Sequence, residues 1–154
     1  MLQAFSIQDT ELLNQWTGSQ DALFQFSGTT WQYPLTEEML STYMTEHHHR
    51  LLYLYMADGI AKGFGELITN EDNSPRLSRL LIAPEYRGQG HGKKMMLELE
   101  ALCDSDIIHL FVLESNVSAR HCYESSGYEY AEYEKFSLEH NEIKYPVLKM
   151  SKVL

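Results

Sequence analysis

Leu80-Leu81-Ile82-Ala83-Pro84-Glu85-Tyr86-Arg87-Gly88-Gln89-Gly90-His91-Gly92-Lys93-Lys94 is the stretch that decides the fold of this chain. The apolar run Leu77 to Ile82 reads as a strand that Pro84 closes, and past the glycines Met95, Leu99 and Leu102 recur at helical spacing. A glycine-rich loop between a strand and a helix lets backbone amides converge on an anion at the positive end of the helix, with no side chain blocking the approach. Arg87 adds a permanent charge. Lys93 and Lys94 oppose the helix dipole in its first turn, a placement that a nearby polyanion would favour. A plain tight turn is the competing reading.

The glycine spacing fails two nucleotide motifs. The dinucleotide fingerprint needs G-x-G-x-x-G, whereas the glycines here fall at 88, 90 and 92 and Lys93 follows. A P-loop needs glycine where Arg87 stands and a hydroxyl where Lys94 stands.

Downstream of the loop, Ile107 to Leu113 is a continuous apolar run of the kind found in central strands. Asn116 suits the cap of a helix reaching Ser126, Gly127 suits its left-handed end, and Tyr128 to Leu138 and Glu142 to Ser151 read as two closing strands. Upstream, Met1 to Ile7 reads as a first strand, Asp9 as the cap of a helix over Glu11 to Trp16 that Gly18 ends, and Asp21 to Phe26 as a second short helix. Thr36, followed by Glu37 and Glu38, starts a helix to about Glu46. Leu51 to Met56 and Ile60 to Thr69 flank Asp58-Gly59, a strong hairpin signal. Hairpins combined with one helical crossover imply an α/β (α+β) fold with a mixed sheet covered by helices.

The chain has 154 residues, 44% of them hydrophobic and 22% charged, as in ordinary globular proteins. No repeat or linker divides it, so residues 1–154 form one expected domain. Apolar runs are short and the N-terminus lacks a secretory pattern, so the cytoplasm is expected and a membrane is not. With 12 basic against 22 acidic residues and a formal charge of -10, nucleic acid is an improbable partner. The acidity favours a cationic substrate or simply aids solubility. Cys103 and Cys122 fall in segments read as helices and are expected to be reduced, buried thiols, with no nucleophile setting. His47-His48-His49 lacks metal-site spacing and reads as a helix end, so no metal is expected.

Arg87, Gly90 and Gly92 fit Gln/Arg-x-x-Gly-x-Gly/Ala, and Asn116, Ala119, Tyr123, Glu124 and Gly127 fit a second block downstream. Together they resemble the signature of the GCN5-related N-acetyltransferases (GNAT). The resemblance is specific from about Leu77 to Tyr130 and topological before that. It implies a mostly antiparallel sheet of six to seven strands with about four helices, and acetyl-CoA as co-substrate. It places the pyrophosphate on the amides of Gly88, Gln89, Gly90, His91, Gly92 and Lys93, with Arg87 beside them. The pantetheine arm would lie along Leu81, Ile82 and Ala83, where the strand splays from its neighbour, and near Asn116. His91 either touches a phosphate or is an exposed loop residue.

Acyl transfer to an amine needs a neutral nucleophile and a proton for the departing thiolate. A lysine-like amine is neutral in only about one molecule in 10³ at pH 7, a handicap of about 4 to 5 kcal/mol. Tyr123 is the implied general acid. The base is open: Glu66 serves if it faces the cleft, Glu114 is a second possibility, and a water chain a third. The acceptor is a primary amine of a small molecule, polyamine or protein, approached through a wall drawn from Trp16, Phe24, Phe26, Trp31 and Tyr33, which are otherwise core residues. A different class, a sensor that binds acyl-CoA without turnover, would use the same cradle. An exposed edge among the last strands would permit a homodimer.

Overall fold

The computed structural model describes residues 1–69, 74–131 and 136–154. Its elements run β1 (Leu2–Ala4), a 3-10 turn (Ile7–Asp9), α1 (Thr10–Thr17), α2 (Gln20–Ser27), α3 (Glu37–Glu46), β2 (Arg50–Ala57), β3 (Ile60–Ile68) and β4 (Arg76–Ile82). After a second 3-10 turn (Pro84–Tyr86) come α4 (His91–Glu100), β5 (Ile107–Leu113), α5 (Val117–Ser125), β6 (Glu129–Tyr130), β7 (Phe136–His140) and β8 (Ile143–Val153). The sheet order is β1-β2-β3-β4-β5-β8-β6, with β7 also paired to β8. Only β4 and β5 are parallel, so the expected mixed and mostly antiparallel sheet is present, with eight strands and five α-helices among the described residues. Among these residues no helix is long and apolar enough to cross a membrane.

Local signals explain most boundaries. Thr36 Oγ1 accepts from Met39 N at 3.2 Å and Asn116 Oδ1 from Ala119 N at 3.3 Å, so both caps form as their side chains dictate. Gly18 ends α1 at φ 78°. Asp58 and Gly59, at φ 54° and 73°, supply the two positive φ angles of the β2–β3 hairpin turn.

Three expectations change. Asp9 precedes α1 but does not cap it, because its carboxylate accepts from Ser6 N at 2.9 Å and so closes the preceding 3-10 turn. Leu102 and Cys103 lie beyond the end of α4, and Leu102 is 51% exposed rather than buried. The strand expected over Tyr128 to Leu138 includes 132–135, outside the described residues; on either side, β6 pairs with Met150 and Ser151 while β7 pairs with Ile143 to Val147.

The sheet carries a core on each face. Leu13, Leu23, Leu40, Leu54 and Phe64 pack under α1 to α3, and Leu67, Leu77, Met95, Leu99 and Ile108 pack under α4. Close approach of β4 to β3 requires glycine: a Cβ on Gly63 would stand 2.8 Å from Leu81 O. Between Phe64 and Glu66 the β3–β4 register shifts, and opposite that irregularity Arg79 has φ 48°. A bulge of this kind bends the strand. β4 then meets β5 at only two register pairs, Arg76↔His109 and Leu77↔Leu110. From Ser78 onward the two strands diverge and a cleft opens between them.

Candidate active site

The cleft has a volume of about 780 Å³, within the range of small-molecule sites. Its walls are α2, the diverging half of β4, the glycine loop, the end of β5, α5, and part of β7 and β8. Divergence of two paired strands leaves the edge of β4 between Ser78 and Ile82 facing the gap instead of a neighbour. Such an edge presents backbone groups to whatever lies in the cleft.

At one end, Gly88 and Gly90 hold φ 73° and 83°, which permits a turn that other residues enter at a cost. The first amide past Gly90 to bond back into α4 is that of Lys94, to Gly90 O at 3.2 Å. The preceding amides are those a helix start leaves unsatisfied, the groups that anions bind at such ends. Arg87 folds back through Nε onto Ile82 O at 3.0 Å, tying the loop to β4. Lys93 also lines the cleft. Free amides with two adjacent cations and no Cβ at 88, 90 or 92 fit a pyrophosphate.

Of the predicted site residues, Leu81, Ile82, Arg87, Gly88, Gly90, His91, Gly92, Lys93, Asn116 and Tyr123 all line this one cleft. Gln89 does not; its side chain turns to Glu85 O at 3.4 Å. Ala83 is fully buried and gives its amide to Lys62 O at 2.8 Å, so it is not free to bond a ligand. His91 is half-buried between Tyr55 and Tyr86, with burial, Lys62 and Lys94 holding its pKa below the usual histidine value. It is therefore neutral at pH 7, and it is not an exposed loop residue.

Tyr123 sits on α5 and lines the cleft. Burial raises the pKa of its phenol above the ordinary tyrosine value, so at neutral pH it carries its proton. Cys122, beside it, also lines the cleft; burial raises its thiol as well, which keeps it from being a ready nucleophile.

Glu66 faces inward but not into the cleft. It is fully buried, accepts from Arg79 Nη1 at 2.5 Å and receives a short hydrogen bond from Tyr43. A carboxylate so committed is not placed to take a proton from an acceptor amine. Glu114 is exposed and also outside the lining. Of the aromatic wall, Phe24 and Phe26 line the cleft, while Trp16 and Trp31 are core.

Arg79, Ser78, Phe111 and Phe136 complete the far end of the cleft, and sequence reading assigned none of them to the site. Arg79 offered one signal, a cation within an apolar strand.

A domain described as acetyltransferase (GNAT) matches residues 14–151, and the chain belongs to that family. It is an acetyl-CoA-dependent N-acetyltransferase. Among solved structures, spermidine N-acetyltransferase from Vibrio cholerae, in complex with CoA and spermine, aligns with TM-score 0.79 and 19% identity, covering 99% of this chain and 94% of that one. Ribosomal-protein-alanine N-acetyltransferase from Brucella melitensis aligns with TM-score 0.78 and 16% identity, covering 100% and 99%. At such identities the likeness is one of fold.

Proposed function

We propose that the chain moves an acetyl group directly to a primary amine within a ternary complex, with Tyr123 as general acid. The observation that carries this reading is that the phenol of Tyr123, half-buried and protonated at neutral pH, lines the same cleft as the open edge of β4. Acetyl-CoA supplies the acyl group as a thioester. The amides around Gly88 to Gly92, with Arg87 and Lys93, bind its pyrophosphate; the edge at Leu81 and Ile82 orients its arm, and Asn116 fixes the start of α5 that carries Tyr123. Tyr123 Oη gives a proton to the departing sulfur.

The acceptor reaches its neutral form through its surroundings. Arg79, Arg87 and Lys93 line the cleft, and no carboxylate does so among the described residues. Desolvation in a cleft walled by Phe24, Phe26 and Phe111, with no carboxylate beside it, disfavours an ammonium ion and so lowers the pKa of a bound amine. This lessens the handicap set by a lysine-like amine without a dedicated base. Water carries the proton away.

Thiol release from acetyl-CoA with a panel of amines tests the reading. Tyr123→Phe is expected to lower kcat by about 10²-fold or more, the usual worth of a general acid, with little change in KM for acetyl-CoA. An unchanged kcat would remove Tyr123 from that role. Initial-rate plots should intersect; parallel lines would indicate an acyl-enzyme and overturn direct transfer.

A further inference from the structure

Three arginines gather around Tyr43, Glu66 and Phe111 behind the end of the cleft far from the glycine loop, and Arg79 is the one of them that lines it. Arg79, in the lining, lies three residues before Ile82 on β4, a distance of roughly 10 Å along a strand. Its guanidinium stacks over Trp31 at 5.2 Å and Tyr43 at 5.4 Å, and its Nη2 donates to Thr30 Oγ1 at 2.7 Å. Arg76 lies over the ring of Phe111 at 5.0 Å, and that ring forms part of the cleft wall. Arg50 stacks on Tyr43 at 5.7 Å and gives Nη1 to its hydroxyl at 2.9 Å.

One carboxylate answers these three cations among the described residues. Glu66 pairs with Arg79, and neither Arg50 nor Arg76 has an ion pair there. Buried Nε atoms of Arg50, Arg76 and Arg79 all lack a hydrogen-bond partner. Burial together with the charges of Arg50 and Arg79 lowers the pKa of Arg76, the electrostatic mark of crowded like charge. Aromatic faces hold the guanidinium planes in place, and beyond the bonds of Arg79 to Glu66, Ser78 and Thr30 and of Arg50 to Tyr43 further N–H donors of the cluster remain unmatched. Crowding cations in a chain of formal charge -10 is unfavourable unless something negative answers them.

We infer that this arginine cluster recognises an oxyanion carried by the acceptor, so that the substrate is an amine bearing a carboxylate or phosphate at its far end and not a polyamine. The inference rests on the acyl-transfer reading above and narrows its substrate class. Guanidinium forks match both oxyanions by paired N–H donors. It also reverses the expectation, drawn from net charge alone, that a cationic substrate is favoured.

The test is thiol release from acetyl-CoA by the wild-type chain with ω-amino acids of graded length, matched ω-aminoalkyl phosphates, the neutral ω-amino amides, and spermidine. The best acid-bearing amine is expected to exceed its neutral amide in kcat/KM on the order of tenfold or more, because buried donors left unpaired penalise the analogue lacking the acid. Whether carboxylate or phosphate gives the larger ratio identifies the oxyanion. Equal or faster reaction of the amides or of spermidine overturns the inference while leaving acyl transfer intact. Absence of thiol release with every amine overturns the underlying reading instead. Arg76→Gln spares the Glu66–Arg79 pair and should narrow the acid-to-amide ratio several-fold; a ratio unchanged from wild type removes Arg76 from recognition.

Discussion

Gly90 stands immediately before α4 at φ 83°, with no atom within 4 Å of where a Cβ would lie. A side chain there meets no steric obstacle but must hold a left-handed backbone, at a cost of about 1 to 2 kcal/mol. Gly90→Ala is therefore expected to lower Tm by about 2 to 8 °C and to raise KM for acetyl-CoA, measured by thermal melting and initial rates. Tyr43 gives a second prediction. Its pKa rises from 10.0 to about 12, chiefly through burial, so the unfolded chain releases that proton first as pH climbs. Stability contributed by Tyr43 is whole below pH 10 and lost as pH rises from there to about 12, at a limiting slope near 1.4 kcal/mol per pH unit. Tm followed from pH 9 upward should decline, and Tyr43→Phe should decline less steeply. Residues of the glycine loop were legible in the sequence because their function is local: three glycines and the cations beside them are contiguous. Glu66 and Arg79 were not, since their pairing depends on a bulge and a left-handed Arg79 that no local pattern announces.

Elements follow the same division. Thr36 and Asn116 cap α3 and α5 because a short polar side chain followed by a free helix start has one good arrangement. Asp9 misleads because Ser6 offers its carboxylate a donor at 2.9 Å one turn earlier. Packing between elements is less readable still. Glu100 on α4 receives Tyr128 Oη at 2.9 Å and Lys152 Nζ of β8 at 2.9 Å, joining a helix to the far side of the sheet across 52 positions. Only 7% of the Glu100 side chain is exposed, so removing its cation leaves a buried charge poorly answered. Lys152→Met is expected to destabilise the fold by about 2 to 4 kcal/mol, somewhat less than a fully buried pair. Because this tie lies outside the cleft lining, kcat should stay within about twofold of wild type; chemical denaturation and steady-state rates check both parts. The β4–β5 divergence itself was expected from family resemblance, whereas its cause, pairing confined to Arg76 and Leu77, emerges only from the three-dimensional register.

For the whole molecule, a ligand lodged between the two halves of the sheet stabilises the folded state by mass action. Coenzyme A at about one hundred times its Kd should add about 2.7 kcal/mol and raise Tm by several degrees, whereas NAD at equal concentration should not. Differential scanning fluorimetry distinguishes the outcomes, and a larger shift with NAD would contradict the glycine spacing as read. Net charge, the most global property of the sequence, does not describe the local charge of the cleft lining. The lining carries Arg79, Arg87 and Lys93 although the chain is acidic as a whole, because charge summed over a surface says little about one concave patch.

The two-rung junction between β4 and β5 also has a mechanical meaning. Strands β1 to β4 form one ribbon and β5 to β8 another, while among the described residues the strand pairing across the seam between them is limited to Arg76 and Leu77, with one bond from His109 N to Pro75 O beside them. Tension applied across the sheet would part the molecule along that seam before it unravelled either ribbon. A co-substrate lying in the gap would then serve as a removable rung, and the force needed to tear the protein in two would report how tightly that rung is held.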